Sequence, residues 1–111
     1  MIGSLMATVA ADAHVYAAIA DSTRRAMLDL LADRPRSVSE LVDEFDVSQP
    51  AISRHLSILL SVGLVDVRNE GRQRIYEFNP APLGEVVDWL SAYDRFWRKR
   101  LHKLGELLER T

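Results

Sequence analysis

The chain has 111 residues, of which 48% are hydrophobic and 27% charged, a composition typical of a single folded domain. It contains no cysteine, which excludes disulfides, thiolate metal sites and cysteine nucleophiles. The formal net charge at pH 7 is −2, so charge alone leaves binding to a nucleic acid undecided.

The N-terminal stretch, residues 1–11, is weakly apolar, lacks a basic segment and is too short to span a membrane. We therefore expect no membrane insertion, and the lack of cysteine agrees with a reducing cytoplasm. Residues 1–7 are expected to form a flexible N-terminus. Residues 8–111 are expected to form one domain.

Two helices are predicted before the first proline. Thr8 or Asp12 caps the first helix, which runs to about Ala20. Asp21 caps the second, in which apolar residues recur three and four positions apart as far as Ala32. That spacing places one face of the second helix in the core.

A helix-turn-helix pattern follows. Ser37 and Glu40 form a capping box, in which each side chain accepts from the backbone N–H of the other, and they predict a short helix over residues 38–45. Ser48 caps the next helix, over residues 48–61. Pro50 fits its first turn, where no intrahelical donor is needed. Two short helices joined by a tight turn are typical of a helix-turn-helix.

A β-hairpin is predicted directly after this motif. Gly63 ends the preceding helix in the left-handed conformation. Residues 64–68 and 73–78 alternate as strands do, on either side of a turn at residues 69–71. The sequence therefore predicts a mainly α fold with a β-hairpin wing, a winged helix-turn-helix with the element order α-α-α-α-β-β-α.

The chain ends in a long amphipathic segment, predicted as one helix over residues 80–109. Its apolar residues alternate three and four positions apart, and only Asp94 interrupts the series. Because a single chain would leave this seam in water, we predict that this helix pairs with a second chain. On this helix the predicted dimer interface comprises Val87, Leu90, Trp97, Leu101, Leu104 and Leu108.

The helix over residues 48–61 is predicted to read DNA. Steps of 100° per residue place Ile52, Leu56 and Leu59 inward and a polar row outward. The first turn of such a helix usually meets base edges, where glutamine can pair with adenine and arginine with guanine. The predicted DNA-contacting residues are Ser48, Gln49, Ser53, Arg54, His55 and Ser57 on this helix and Arg68, Arg72, Gln73 and Arg74 on the wing.

These residues also have a plainer interpretation. Every surface helix has a polar outer face, and the wing arginines can belong to a solvated hairpin that Glu70 and Glu77 partly neutralise. His55 lies between the inner and outer faces, so it either touches DNA or forms a hydrogen bond within the domain. A helix-turn-helix followed by a wing favours DNA binding, because a purely structural helix has no reason to be part of that combination.

Four segments resemble the ArsR family of bacterial winged-helix repressors: residues 20–25 (ADSTRR), 47–56 (VSQPAISRHL), 63–65 (GLV) and 71–76 (GRQRIY). The resemblance extends from about His14 to the C-terminus. It implies a bacterial cytoplasmic homodimer that binds a palindromic operator in double-stranded DNA. The resemblance also implies that the dimer is joined through the first and last helices, which adds Val15 and Ile19 to the predicted dimer interface. It also implies release of the DNA when an inducer arrives.

Metal sensing, which is common in this family, is not expected here. Many members bind metal through cysteines, and others use a carboxylate and histidine set on the last helix. This helix offers Asp88 and His102 but lacks the second histidine, and His102 with Glu106 would supply only two ligands. We therefore expect no metal or other cofactor. The tryptophan-rich last helix instead resembles the metal-independent branch with its SdpR-type autorepressors, which leaves both a small inducer and a protein anti-repressor open.

The sequence thus favours a sequence-specific DNA-binding transcriptional regulator, a repressor that binds an inverted repeat as a homodimer. Two alternatives stay open: a winged-helix module that binds protein, and a metal-responsive repressor with a non-cysteine site. An enzyme is not expected, because the sequence has no phosphate-binding glycine loop and no nucleophile elbow, and its histidines are far apart.

Overall fold

A computed structural model describes residues 14–109 of the chain. The predicted flexible residues 1–7 and the predicted caps Thr8 and Asp12 lie outside the described residues. The elements in chain order are α1 (residues 14–19), α2 (Ser22–Asp33), β1 (Arg36–Ser37), α3 (Val38–Glu44), α4 (Gln49–Ser61), β2 (Val65–Glu70), β3 (Gln73–Phe78), a 3-10 helix (Ala81–Leu83), α5 (Gly84–Ser91) and α6 (Asp94–Glu109).

Short polar side chains and a glycine define the ends of the central helices, because they satisfy or accommodate backbone groups that a helix terminus leaves unpaired. The Asp21 carboxylate accepts from the Arg24 N–H at 2.9 Å, and the Ser48 hydroxyl accepts from the Ala51 N–H at 3.3 Å. The predicted capping box of α3 is complete. Gly63, with φ of +78°, follows α4 in the left-handed conformation. The predicted caps of α2, α3 and α4 are therefore confirmed.

The predicted hairpin is part of a three-stranded antiparallel sheet with the order β1-β3-β2. Strand β1 was not predicted, because a strand of two residues is too short to show alternation. The turn predicted over residues 69–71 is wrong, since pairing continues to Glu70 opposite Gln73 and leaves Gly71 and Arg72 as the turn. Gly71 has φ of +65°, as a tight two-residue hairpin turn requires.

The core lies between α1, α2, α3, α4 and the sheet. From α4 it takes Ile52, Leu56 and Leu59, which confirms the inward face predicted for that helix. The largest fully buried side chains are Met27, Leu41, Ile52, Leu56, Leu59, Leu64 and Val65. Burial of each leucine or isoleucine contributes about 1.5–3 kcal/mol to stability, so these contacts prevent α4 from rotating about its axis.

The prediction of one continuous helix over residues 80–109 is wrong. The segment forms the 3-10 helix, α5 and α6, with a break at Ala92 and Tyr93. At the break both backbone N–H groups donate to carbonyls three residues earlier, the short bonds with which a helix closes its last turn. Asp94, which interrupts the apolar series, opens α6, where the helix dipole favours a carboxylate.

The helices α5 and α6, which we name the arm, contribute no buried residue. The radius of gyration is 18.1 Å, whereas a compact domain of this length has about 13 Å. A single chain therefore leaves the apolar side of the arm exposed.

Within residues 14–109 no helix is long and apolar enough to cross a membrane.

The capping box of α3 is part of an acid-sensitive contact. The Arg34 guanidinium donates to the Glu40 carboxylate at 2.8 Å and the Ser37 N–H donates to it at 3.2 Å, and both bonds lower the pKa of Glu40. Because the folded state has the lower pKa, the stabilisation is present above the unfolded value of about 4.3. It is lost as the pH falls through the folded value.

We expect E40Q to unfold more easily than the wild type at neutral pH and to lose less stability on acidification to about pH 3. Urea unfolding over this pH range measures both effects. D43N is the control: Asp43 lies on the same helix and makes no ion pair among residues 14–109, so D43N should follow the wild type. Parallel loss of stability in E40Q and the wild type would contradict the assignment.

Candidate nucleic-acid interface

The helix-turn-helix consists of α3, a turn at residues 45–47 and α4. Since Ile52, Leu56 and Leu59 are anchored in the core, the opposite side of α4 faces outward. The predicted reading residues Ser48, Gln49, Ser53, Arg54 and Ser57 are all exposed on this helix or at its cap. The structure therefore brings them together on one polar surface.

Arg54 is the cation at the centre of this surface. Among residues 14–109 its guanidinium makes no hydrogen bond or ion pair, so its five N–H donors face solvent. An open pocket of about 490 Å³ lies beside it, lined also by Arg24 and His55. Arginine donors in a fixed fork suit the bidentate acceptors of guanine or of a phosphate.

His55 is turned toward the body of the domain. Its Nδ1 lies 3.3 Å from Nη1 of Arg24 and 4.0 Å from a carboxylate oxygen of Asp21. Only 21% of its side chain is exposed. Of the two roles that the sequence left open, the structure shows a hydrogen bond within the domain, and DNA contact by His55 stays a prediction.

The arginines of the wing, the β2–β3 hairpin, differ in their surroundings. Arg68 pairs with Glu77 at 3.2 Å and with Glu70 at 3.7 Å, so its charge is neutralised within the hairpin. Arg74 lies over the ring of Tyr76, 5.9 Å from its centroid. Arg72 is exposed in the turn itself. Exposed ion pairs are worth only about 0–1 kcal/mol, so Arg68 can exchange its glutamates for a phosphate at little cost.

Gln73 begins β3 and is exposed opposite Glu70. Its side chain lies next to the turn, on the same end of the hairpin as Arg72. This position agrees with the predicted contact of Gln73 with DNA, which stays a prediction.

Sequence reasoning did not place Arg24 at this surface. It appeared only within the segment ADSTRR, whereas the structure sets it against His55, which lies 31 residues away in the chain. No local spacing relates the two residues, so only the motif gave a signal.

The predicted dimer residues fall into two groups. Val15 is 7% exposed and Ile19 packs partly against the core, so their own chain already covers much of them. The remaining residues, on the arm, are exposed: Val87 59%, Leu90 39%, Trp97 53%, Leu101 64%, Leu104 52% and Leu108 66%.

An aromatic row on the arm was missing from the predicted interface. The Tyr16 ring of α1 meets Trp89 edge to face with centroids 6.0 Å apart, and Trp89 meets Tyr93 at 5.6 Å. Tyr93 in turn lies 6.4 Å from Phe96. This row joins α1 to both helices of the arm, so the first and last helices are in contact within one chain.

The two candidate metal ligands do lie one helical turn apart. The His102 Nε2 is 3.0 Å from a Glu106 carboxylate oxygen, and both side chains are more than half exposed. Within residues 14–109 no group of three or more histidine and carboxylate side chains could hold a metal ion. Two exposed ligands do not make a closed site.

Comparisons with known proteins agree with this geometry. Residues 21–67 match the profile described as bacterial regulatory protein, arsR family. The chain is 36% identical over 104 residues to the HTH-type transcriptional regulator Rv2034 of Mycobacterium tuberculosis, with 94% of each chain covered. It is 32% identical over 77 residues to the transcriptional repressor SdpR of Bacillus subtilis, covering 69% of this chain and 86% of that protein.

Solved structures show the same architecture. The ArsR-like transcriptional regulator from Rhodococcus sp. RHA1 superposes with a TM-score of 0.69 at 33% identity, covering 91% of this chain and 95% of that one. The predicted winged helix-turn-helix fold is thereby confirmed.

The geometry predicts two different losses of DNA binding. R54A should weaken binding to a selected DNA site by about 1–3 kcal/mol and relax one base preference, because it would remove the predicted base contact. R72A should weaken binding to selected and random DNA alike and flatten the salt dependence, because it would remove the predicted phosphate contact. Fluorescence anisotropy with both DNAs at several salt concentrations measures each effect. Equal losses of R54A on both DNAs would contradict base reading.

Proposed function

Because this chain belongs to the ArsR family of bacterial DNA-binding transcriptional regulators, we propose that it is a repressor that binds an inverted-repeat operator as a homodimer. In this proposal α4 lies in the major groove and the wing follows the DNA backbone. The observation that carries it is the exposed polar row of α4, backed by Ile52, Leu56 and Leu59 in the core. A rigid helix with uncrowded serines, one amide and one arginine suits the groove.

The arm supports the homodimer. Its seam residues stay at least 39% exposed in one chain, and the adjoining Trp89, Tyr93 and Phe96 are exposed as well. A contiguous apolar surface of this kind marks an interface in most proteins. We assign it to a second copy of the chain, since a two-fold axis lets one surface cover its own equivalent.

The break at Ala92 and Tyr93 shapes the surface offered to the second copy. A groove of about 280 Å³ lies at this bend, lined by Trp89, Leu90, Tyr93, Phe96, Trp97 and Arg100. In the proposed dimer this groove receives side chains of the partner's arm. With two-fold symmetry, the two α4 helices then meet half-sites about 34–36 Å apart, one turn of the duplex.

Control by a thiolate-bound metal is excluded, because the chain has no cysteine. Among residues 14–109, no group of three or more histidine and carboxylate side chains could hold a metal in place of cysteines. The signal in this proposal is a small inducer or a protein anti-repressor. Either would act by changing the arm or the position of α4, the two parts on which operator binding depends.

A protein-binding winged helix is the second candidate function. It draws on the same apolar arm and on the exposed acids of α3, Asp43 and Glu44. Salt distinguishes the two candidates, since neutralising phosphates makes DNA affinity fall steeply with salt concentration whereas an apolar protein interface barely responds. The test is footprinting on the DNA upstream of the gene at two salt concentrations. A protected inverted repeat that is lost at high salt supports the repressor, and no protection at low salt contradicts it.

The dimer gives a separate prediction. L101E/L104E should be monomeric at micromolar concentration and should bind a palindrome at least about tenfold more weakly, because each monomer then binds alone. Sedimentation and DNA titration measure the two effects. K99Q/H102E is a matched control, since both double variants lower the net charge by two, one for each substitution, but the control changes only the polar side of α6. A dimeric L101E/L104E would place the interface elsewhere.

A further inference from the structure

Arg24 lies where three helices meet. Its backbone is in α2, and its Nε and Nη2 donate to the carbonyls of Ala18 and Ala17 at 2.7 and 3.0 Å. These carbonyls belong to the last turn of α1, where a helix leaves its carbonyls unpaired and its dipole favours a cation. The third arm of the guanidinium, Nη1, reaches Nδ1 of His55 on α4 at 3.3 Å. One side chain therefore links α1, α2 and α4.

The direction of the bond between Arg24 and His55 follows from chemistry. A guanidinium has only N–H donors, so Nδ1 of His55 must accept. That requires the neutral imidazole with its proton on Nε2. The carboxylate of Asp21, 4.0 Å from Nδ1, caps α2 through the Arg24 N–H at 2.9 Å and does not compete as a close partner.

The same junction is connected to the arm. Tyr16, in α1, packs its ring on Trp89 of α5 at 6.0 Å, and its hydroxyl lies 3.4 Å from the Glu85 carbonyl oxygen. A continuous series of contacts thus runs from α4 through His55, Arg24 and α1 to the arm. In a dimer paired through the arm, this series determines where each α4 lies relative to the two-fold axis.

We propose that Arg24 is a positioning residue that holds α4 to the α1–α2 junction through His55 and so sets the separation of the two reading helices. This inference rests on the proposed function, because a separation has meaning only in a dimer that binds an inverted repeat. An operator has a fixed distance between its half-sites. A variant whose α4 is held less firmly should therefore discriminate less between spacings while it still binds DNA electrostatically.

Arg25 provides a matched control within the same junction. Its Nη1 donates to the Ile19 carbonyl at 2.8 Å, so it also links α2 to the end of α1. Among residues 14–109 it makes no contact with α4 through a hydrogen bond or ion pair. R24M therefore removes two bonds to α1 and R25M removes one, but only R24M also releases His55.

The first experiment uses the inverted-repeat duplex that the wild type selects from a random pool, and two duplexes with the half-sites moved one base pair closer or farther apart. R24M should bind the selected duplex about tenfold more weakly than R25M or worse, with a reduced preference among the three spacings. The two variants lose the same charge, so they should bind random DNA equally well. R25M should keep the preference. Equal effects of R24M and R25M on spacing would overturn the proposal, and thermal melts of both variants check that each is folded.

Two substitutions of His55 separate its possible roles. H55N places an amide oxygen near the position of Nδ1, so it should keep the bond from Arg24 and the spacing preference. H55Q places its amide near the position of Nε2, so it should behave like R24M. The reverse pattern, with H55Q active and H55N impaired, would show that His55 acts on DNA and would overturn the proposal.

A measurement without DNA separates this proposal from the proposed function. Nitrogen-15 NMR of the full chain at about pH 8 should show His55 with its proton on Nε2, and R24M but not R25M should change that tautomer balance. A wild type that selects no inverted repeat would refute the repressor function. A His55 ring with its proton on Nδ1 would refute the bond from Arg24, whatever the DNA results.

Discussion

Burial of one side of α4 is the constraint on which the rest of this structure depends. Ile52, Leu56 and Leu59 are fully buried, so α4 cannot rotate without exposing about three core side chains, each worth about 1.5–3 kcal/mol. The polar row on the opposite side is therefore presented in a fixed orientation. Ser48 at one end and Gly63 at the other keep the helix to the length that this core contact needs.

Two contacts connect this fixed helix to the rest of the chain. Arg24 joins α4 to α1 through His55, and Tyr16 joins α1 to the arm, so the surface that we assign to DNA and the surface that we assign to the second copy share one framework. Neither helix of the arm contributes a buried residue. In the proposed repressor, dimer formation and operator binding both depend on this framework, so a signal that acts on one part would change both.

The sequence predicted the features that depend on near neighbours. Caps such as Asp21 and Ser48 act within three residues, and the inward face of α4 repeats every three or four residues, so both are visible in the chain itself. Features that depend on distant parts were missed. They are the pairing of β1 with β3 and the contact of Arg24 with His55. The break at residues 92–93 was missed as well, although Asp94 interrupts the apolar series directly after it.

The central claim is that α4 of each subunit lies in the major groove of one half-site. Because the chain has no cysteine, Ser57→Cys gives a single attachment point for an iron chelate on the exposed side of α4. Bound to the selected duplex, the labelled protein should cut at two symmetric positions about 10 base pairs apart. A single cut, or cuts outside the half-sites, would contradict the account.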